Sequence, residues 1–336
     1  MSRAAAFLRG AGIAGVAATG LAGAAYGAQR VAVARVRSRP DDTPDVLAPI
    51  TLAEHQVPSH DGGTVNYVDS GPGTRPATFV LSHGVTLSVR TWVRQLEALP
   101  RAGFRTVAFD HRGHGGSVLG DTEFSVDNLG DDFCTLLETL DLHDAVLVGH
   151  SMGGIAVQSF VARHPEVART RVRGLVLLNT FAVSPGGSQA ARWNHFAERL
   201  TRRTPDSTWL WSNPELGVLL ARFGFGRDPA PSHLELVRQM MLACPPHTRV
   251  HGPRSLIGVD FTEALERIEI PTLVIGGTAD MITPISASRG MHRRIRGSRL
   301  EELDGGGHML MLERTEIVDD LLCDFASSVV ADGAPT

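Results

Sequence analysis

The sequence predicts an α/β protein: a mostly parallel central sheet flanked by helices, with an inserted helical cap. Three observations carry this. From about Glu54 onward, short β-like runs alternate with helical stretches, the pattern of a sheet covered on both faces. Several runs, such as Ala145-Val146-Leu147-Val148, are apolar throughout, as strands buried on both sides are. That run leads directly into the small-residue turn Gly149-His150-Ser151-Met152-Gly153-Gly154 and then a helical stretch.

The chain has 336 residues. A typical domain holds ~100–200, so one large α/β unit with an insertion accommodates this length and buries a sizeable core. At 43% hydrophobic and 20% charged residues the composition is too apolar for a disordered chain. Cys134, Cys244 and Cys323 are odd in number, far apart and without ligand spacing. They fit neither a disulfide framework nor a zinc cluster and read as small buried hydrophobes. Residues 1–40 hold six arginines and no acid, so the rest of the chain opposes all 36 acidic residues with only 26 basic ones. An acidic body does not suit phosphate-backbone binding, and no nucleic-acid partner is expected. Every basic residue among Lys and Arg is arginine, which removes lysine Schiff-base chemistry and a P-loop.

Taken in order, residues 1–40 form a Gly/Ala/Arg leader, or a membrane-associated segment, outside the expected α/β fold. Within it, residues 10–28 are uncharged, and as a helix would span roughly 28 Å, close to a bilayer's hydrocarbon core. Gly15, Thr19, Gly23 and Gly27 recur at four-residue spacing, as small residues do in paired membrane helices. The segment reads as a membrane anchor, a cleaved signal or a disordered leader, and the arginines after it count against easy export. The expected location is therefore membrane-associated or exported, and otherwise cytoplasmic.

The core is expected over residues 41–185 and 253–330, with a flexible tail at 331–336. Runs at Glu54 to Val57 and Thr64 to Asp69 flank Asp61-Gly62-Gly63 and predict a hairpin. Strands follow at Ala77 to Ser82, Arg105 to Phe109, Ala145 to Gly149, Leu175 to Asn179, Thr272 to Ile275 and Arg299 to Glu302. Helices are expected near Trp92 to Leu99, Ser125 to Leu140 and Ile155 to Arg163, after Pro284 and after Glu313. Strand signals vanish over residues 186–252, where Trp193, Trp209, Trp211, Phe223 and Phe225 accumulate. This is the expected cap. Leu234, Val237, Met240 and Met241 have helix-face spacing there, as ordinary packing or as a substrate-facing wall.

The turn from Gly149 to Gly154 lets a strand bend sharply into a helix and exposes the Ser151 oxygen at the sheet edge. A serine hydroxyl needs a base and an orienting acid. His308, in the loop Asp304-Gly305-Gly306-Gly307-His308 after the last strand, is the candidate base. Asp280, after the strand Thr272 to Ile275, is the candidate acid. No dinucleotide fingerprint, flavin or metal-ligand spacing is present, so no cofactor and no metal are expected.

The chain order Ser151, Asp280, His308 resembles the α/β-hydrolase fold superfamily, in an esterase/lipase-like or haloperoxidase-like branch. The resemblance runs from about Leu52 to Val330. It includes Ser82-His83-Gly84-Val85, similar to the family's oxyanion-hole loop, and Asp110-His111-Arg112-Gly113-His114-Gly115-Gly116-Ser117, similar to the family's turn after the fourth strand. It implies that the backbone N–H groups of Val85 and Met152 face the oxyanion. His83 is expected either to hold the loop or merely to fill it, and stands with Trp209, Trp211 and Met240 among candidate substrate-binding residues. His111, Arg112 and His114 read as structural. Serine at the elbow disfavours reactions that need a carboxylate nucleophile, such as epoxide opening or halide displacement. The expected activity is hydrolysis of a carboxylic ester with an apolar acyl group. The alternatives are a cofactor-free haloperoxidase or perhydrolase, or a carbon–carbon or amide bond hydrolase on the same triad. A non-catalytic binding module would need a missing triad member, and none is missing. The expected partner is a small-molecule ester; oligomeric state stays open.

Overall fold

The computed structural model describes residues 29–36, 38–122, 124–184 and 208–331. Its strands are β1 Glu54–Pro58, β2 Thr64–Asp69, β3 Thr78–Ser82, β4 Arg105–Phe109, β5 Ala145–His150, β6 Val172–Leu178, β7 Thr272–Gly277 and β8 Arg299–Leu303. They form one sheet in the order β1-β2-β4-β3-β5-β6-β7-β8. β1 and β2 are an antiparallel hairpin whose turn uses the left-handed Gly62 at φ 84°, and β2 is antiparallel to β4. All pairings from β4 to β8 are parallel. The chain leaves β3 for β4 on one side and then crosses to β5 on the other, so a topological switch lies at the carboxyl ends of β3 and β5. Open α/β sheets bind ligands at such a point.

The helices are α1 Gln95–Arg101, α2 Val126–Thr139, α3 Met152–Arg163, α4 Pro165–Arg171, α5 Thr208–Ser212, α6 Pro214–Ala221, α7 Pro231–Ala243, α8 Pro246–Ser255, α9 Thr262–Glu266, α10 Ile285–Arg294, α11 Leu310–Glu313 and α12 Thr315–Ala331. Alternate strand residues feed two apolar layers. Val146 and Val148 join Phe79, Leu81 and Leu273 against Leu96 and Leu99 of α1 and Val318 and Leu322 of α12. Leu147 joins Val80, Leu175 and Val274 against Leu129 and Leu136 of α2, Val157 and Phe160 of α3 and Met291 of α10. Each such side chain contributes about 1.5–3 kcal/mol by leaving water. Ser125 starts α2 by accepting the Asn128 N–H at 3.1 Å, a local N-cap.

Several expectations shift. α3 begins at Met152, a turn before Ile155, because Gly153 and Gly154 serve close packing instead of breaking the helix. β6 begins at Val172 and is longer than the run Leu175 to Asn179. The described part of the cap is helical from Thr208, and α8 passes the expected boundary at Gly252. Trp193 and residues 185–207 lie outside the described residues. Within the expected leader, residues 29–36 are helical, with Val33 and Val36 buried. Among the described residues no helix is long and apolar enough to cross a membrane; residues 10–28, which carry the expectation of membrane contact, are not among them.

Candidate active site

At the end of β5 the backbone turns at Ser151, with φ 53° and ψ −117°, and enters α3 at once. This left-handed conformation is costly for a residue with a Cβ and persists because the surroundings hold it. The Ser151 N–H donates to Leu178 O at 3.1 Å, and its carbonyl accepts from Thr180 Oγ1 at 2.7 Å. A Cβ on Gly153 would press into the Ser82 carbonyl, so only glycine lets α3 start this close to β3. Ser151, Asp280 and His308 are each 6% exposed.

Asp280 follows β7 and His308 follows β8. His308 Nδ1 donates to Asp280 Oδ2 at 2.8 Å. The same carboxylate accepts from Ile282 N at 2.7 Å, Thr283 N at 2.9 Å and Thr283 Oγ1 at 2.6 Å. Burial works against the charge, but the His308 imidazole and the Thr283 donors outweigh it and hold the carboxyl below the usual carboxylate range. With the proton on Nδ1, Nε2 is the free acceptor. Ser151 Oγ and His308 Nε2 form no hydrogen bond with each other among the described residues.

Sequence reasoning gave no role to the residues that bring the His308 loop to the elbow. His150, the residue before Ser151, donates from Nε2 to His308 O at 2.9 Å, and the two rings lie 4.7 Å apart. Burial, and next His308, hold the His150 imidazole neutral, well below its ordinary pKa. Asn179, left-handed at φ 43° beyond β6, donates to Gly307 O at 2.8 Å and His308 O at 2.9 Å, and accepts from Gly277 N at 2.9 Å. Glu313 accepts from Gly226 N at 2.7 Å and from Gly307 N and Met309 N, tying the cap to the histidine loop. His150 was visible inside the turn motif; Asn179 and Glu313 carry no local signal, since their partners are far away in the chain.

Gly84 packs on the elbow: a Cβ there would come 3.0 Å from His150 Nδ1 and 3.2 Å from Ser151 Cβ. No protein group among the described residues accepts the N–H of Val85 or of Met152. Thr86 is left-handed at φ 63°, unusual for a β-branched residue, and its N–H donates to His114 Nε2 at 3.0 Å. His83 is bonded to the protein at both ring nitrogens. It is fully buried, its Nδ1 donates to Gly84 O at 2.7 Å and its Nε2 accepts from His111 N at 3.1 Å, so no ring nitrogen is left for a ligand. Burial pushes its pKa down to about 4.

The cap covers this loop from α7 and α8. Thr86 Oγ1, which donates to Val85 O at 2.6 Å, lies in contact with Met241 Sδ, Thr248 Oγ1 donates to Gly113 O at 2.7 Å, and a Cβ on Gly252 would crowd Val85. Met240, in contrast, is buried in the core beside Thr91, with 3.6 Å between Thr91 Oγ1 and its sulfur. Trp211 is packed half-buried against the core, and Trp209 is 61% exposed. Among the described residues no group of three or more His, Cys, Asp or Glu side chains is arranged to hold a metal ion.

The sequence model of the alpha/beta hydrolase fold matches residues 77–315. A non-heme chloroperoxidase from Kitasatospora aureofaciens is 32% identical over 74% of this chain and 90% of its own. A bifunctional esterase/perhydrolase from Acinetobacter calcoaceticus is 30% identical over 81% and 99%. Among solved structures, a hydrolase from Pseudomonas aeruginosa superposes with a TM-score of 0.68 at 27% identity, over 82% of this chain and 99% of that one. With the parallel sheet, the serine at the β5 turn and a family match over most of its length, the chain belongs to the α/β-hydrolase family and is an enzyme of that class.

Proposed function

We propose that the chain hydrolyses a carboxylic ester with an apolar acyl group, through an acyl-enzyme on Ser151. The observation that carries this reading is the buried Asp280–His308 hydrogen bond at 2.8 Å, joined through the His150 and Asn179 contacts to the turn that bears Ser151. His308 Nε2 takes the Ser151 proton as Oγ adds to the ester carbonyl. The oxyanion meets the unpaired N–H groups of Val85 and Met152, each such donor stabilising it by about 3–4 kcal/mol. Collapse expels the alcohol, protonated by His308. Water then gives a proton to His308 as it attacks the acyl carbon, which releases the carboxylic acid and restores Ser151. Asp280 stabilises the imidazolium at each stage.

A second reading is favoured by the two relatives named as a chloroperoxidase and an esterase/perhydrolase: hydrogen peroxide in place of water would release a peracid from the same acyl-enzyme. The test is turnover of esters of graded chain length, with and without peroxide, by wild type and Ser151→Ala. Ester hydrolysis and fluorophosphonate labelling present in wild type and lost in the variant support the first reading. Equal labelling of the variant would sink it, and peracid formation outpacing hydrolysis would favour the second.

A further inference from the structure

Residues 29–36 and 38–47 meet the cap and Arg94 through a series of polar contacts. Gln29 and Arg30 reach Glu215 of α6 at 3.2 and 3.1 Å, and Val33 and Val36 are buried. Arg39 donates to Arg227 O at 3.2 Å, and Val46 is buried in the short turn Pro44–Leu47. Asp45 holds Arg94 with two bonds, at 2.6 and 2.8 Å.

The contact at α7 is the informative one. That helix has Ala230 at its N-cap and Pro231 as its first residue, so it has no side-chain cap of its own. Asp41 supplies one from outside: its carboxylate accepts from Ser232 N at 2.9 Å and from Ser232 Oγ at 2.7 Å. Thr43 Oγ1 adds contacts at 3.1 Å to both Ser232 Oγ and His233 Nε2. Farther along, Arg90 donates to Leu47 O and to Gln239 Oε1 of α7, each at 3.1 Å. Arg90 lies four residues beyond Thr86, and the residue two past Gln239 is Met241, the sulfur contact of Thr86. The strap therefore touches α7 at its start and is bridged by Arg90 to its middle, and α7 touches the loop that carries Val85. None of the strap lies within the residues matched by the family.

We propose that residues 29–36 and 38–47 form a positioning strap that seats α7 against the Val85–Thr86 loop and so sets how the cap receives the acyl chain. The strap acts through α7 and touches no reacting atom. Its effect on selectivity rests on the ester-hydrolase reading, whereas its hold on α7 does not.

The test compares Asp41→Ala with Asp41→Asn in the full chain, since the asparagine oxygen still accepts the Ser232 N–H. Amide exchange in Asp41→Ala should accelerate across residues 232–243 and 84–90, with β5 and α3 still protected. The ratio of kcat/KM for long over short esters should fall severalfold through KM, with kcat for the shortest ester and Ser151 labelling retained. Asp41→Asn should restore most of both. Faster exchange confined to the first turn of α7, with an unchanged ratio, would overturn the proposal and leave Asp41 a local cap. A uniform loss for all esters, matched by fewer labelled Ser151 sites, would also overturn it. If wild type turned over no ester while exchange still spread to residues 84–90, the ester reading would fail and the seating of α7 would stand.

Discussion

Asp280 shows how one side chain is committed by its neighbours. Four donors converge on its carboxylate, three of them from Ile282 and Thr283, so its orientation does not depend on His308. Asp280→Asn should leave the turn folded but present an amide to His308 Nδ1, and turnover should fall by up to ~10⁴-fold. Steady-state kinetics with Ser151 titration checks this, and near-normal turnover would mean that Asp280 only shapes the turn. The buried imidazoles behind the loop predict a pH effect on stability. Burial depresses His83 to about 4 and His114 to about 3, whereas unfolded histidine titrates near ~6.5. The unfolded chain thus binds these protons first. The stabilisation is complete above ~6.5 and is lost as pH falls toward the folded values, by up to about 1.4 kcal/mol per pH unit for each group. Asp319, raised by burial to about 6, works in the opposite direction with Asp110, Asp132 and Glu313, while the depressed His111, His150 and His233 add to His83 and His114. The denaturant midpoint should therefore be lower at pH 5 than at pH 7.5; equal midpoints would contradict a neutral histidine cluster.

Among the elements, α3 depends most on a single residue. Gly153→Ala would push the helix away from the Ser82 carbonyl and move Ser151 with it, at a cost of about 1–3 kcal/mol. Fluorophosphonate labelling should drop more than the folded fraction seen by circular dichroism; intact labelling would show that the helix shifts without disturbing the elbow. In the cap, the two tryptophans of α5 should separate. Trp209→Ala, on the exposed side, should change stability by less than about 0.5 kcal/mol, and Trp211→Ala should cost about 1–3 kcal/mol because its ring packs on the core. Thermal unfolding of the pair distinguishes them.

For the whole molecule, distant segments are joined by buried charge. Arg112, after β4, is 1% exposed and pairs with Asp132 of α2 at 2.7 Å and with Asp61 of the β1–β2 turn at 2.9 Å. Removing one partner leaves charge stranded away from water, so Asp132→Ala should destabilise by about 3–5 kcal/mol. Ser151 labelling below the melting transition should survive, because the network lies apart from the elbow; a melting temperature near wild type would show that Asp61 suffices alone.

The sequence by itself determined the alternation of strands and helices, the strand-to-helix turn at Ser151, and the chain order Ser151, Asp280, His308. These are legible because they depend on neighbours in the chain: short apolar runs, and glycines beside the residue that must bend. Only the tertiary structure decided that His150, Asn179 and Glu313 hold the His308 loop, that His83 is sealed behind its own loop, and that Met240 belongs to the core. The same holds for residues 29–36, where Val33 and Val36 are buried although the local sequence reads as leader. Each of these roles requires groups brought together from remote segments, such as Asn179 with Gly307 or Asp41 with Ser232. Periodicity records only which face of an element is apolar, and carries no trace of what the rest of the chain will place against it.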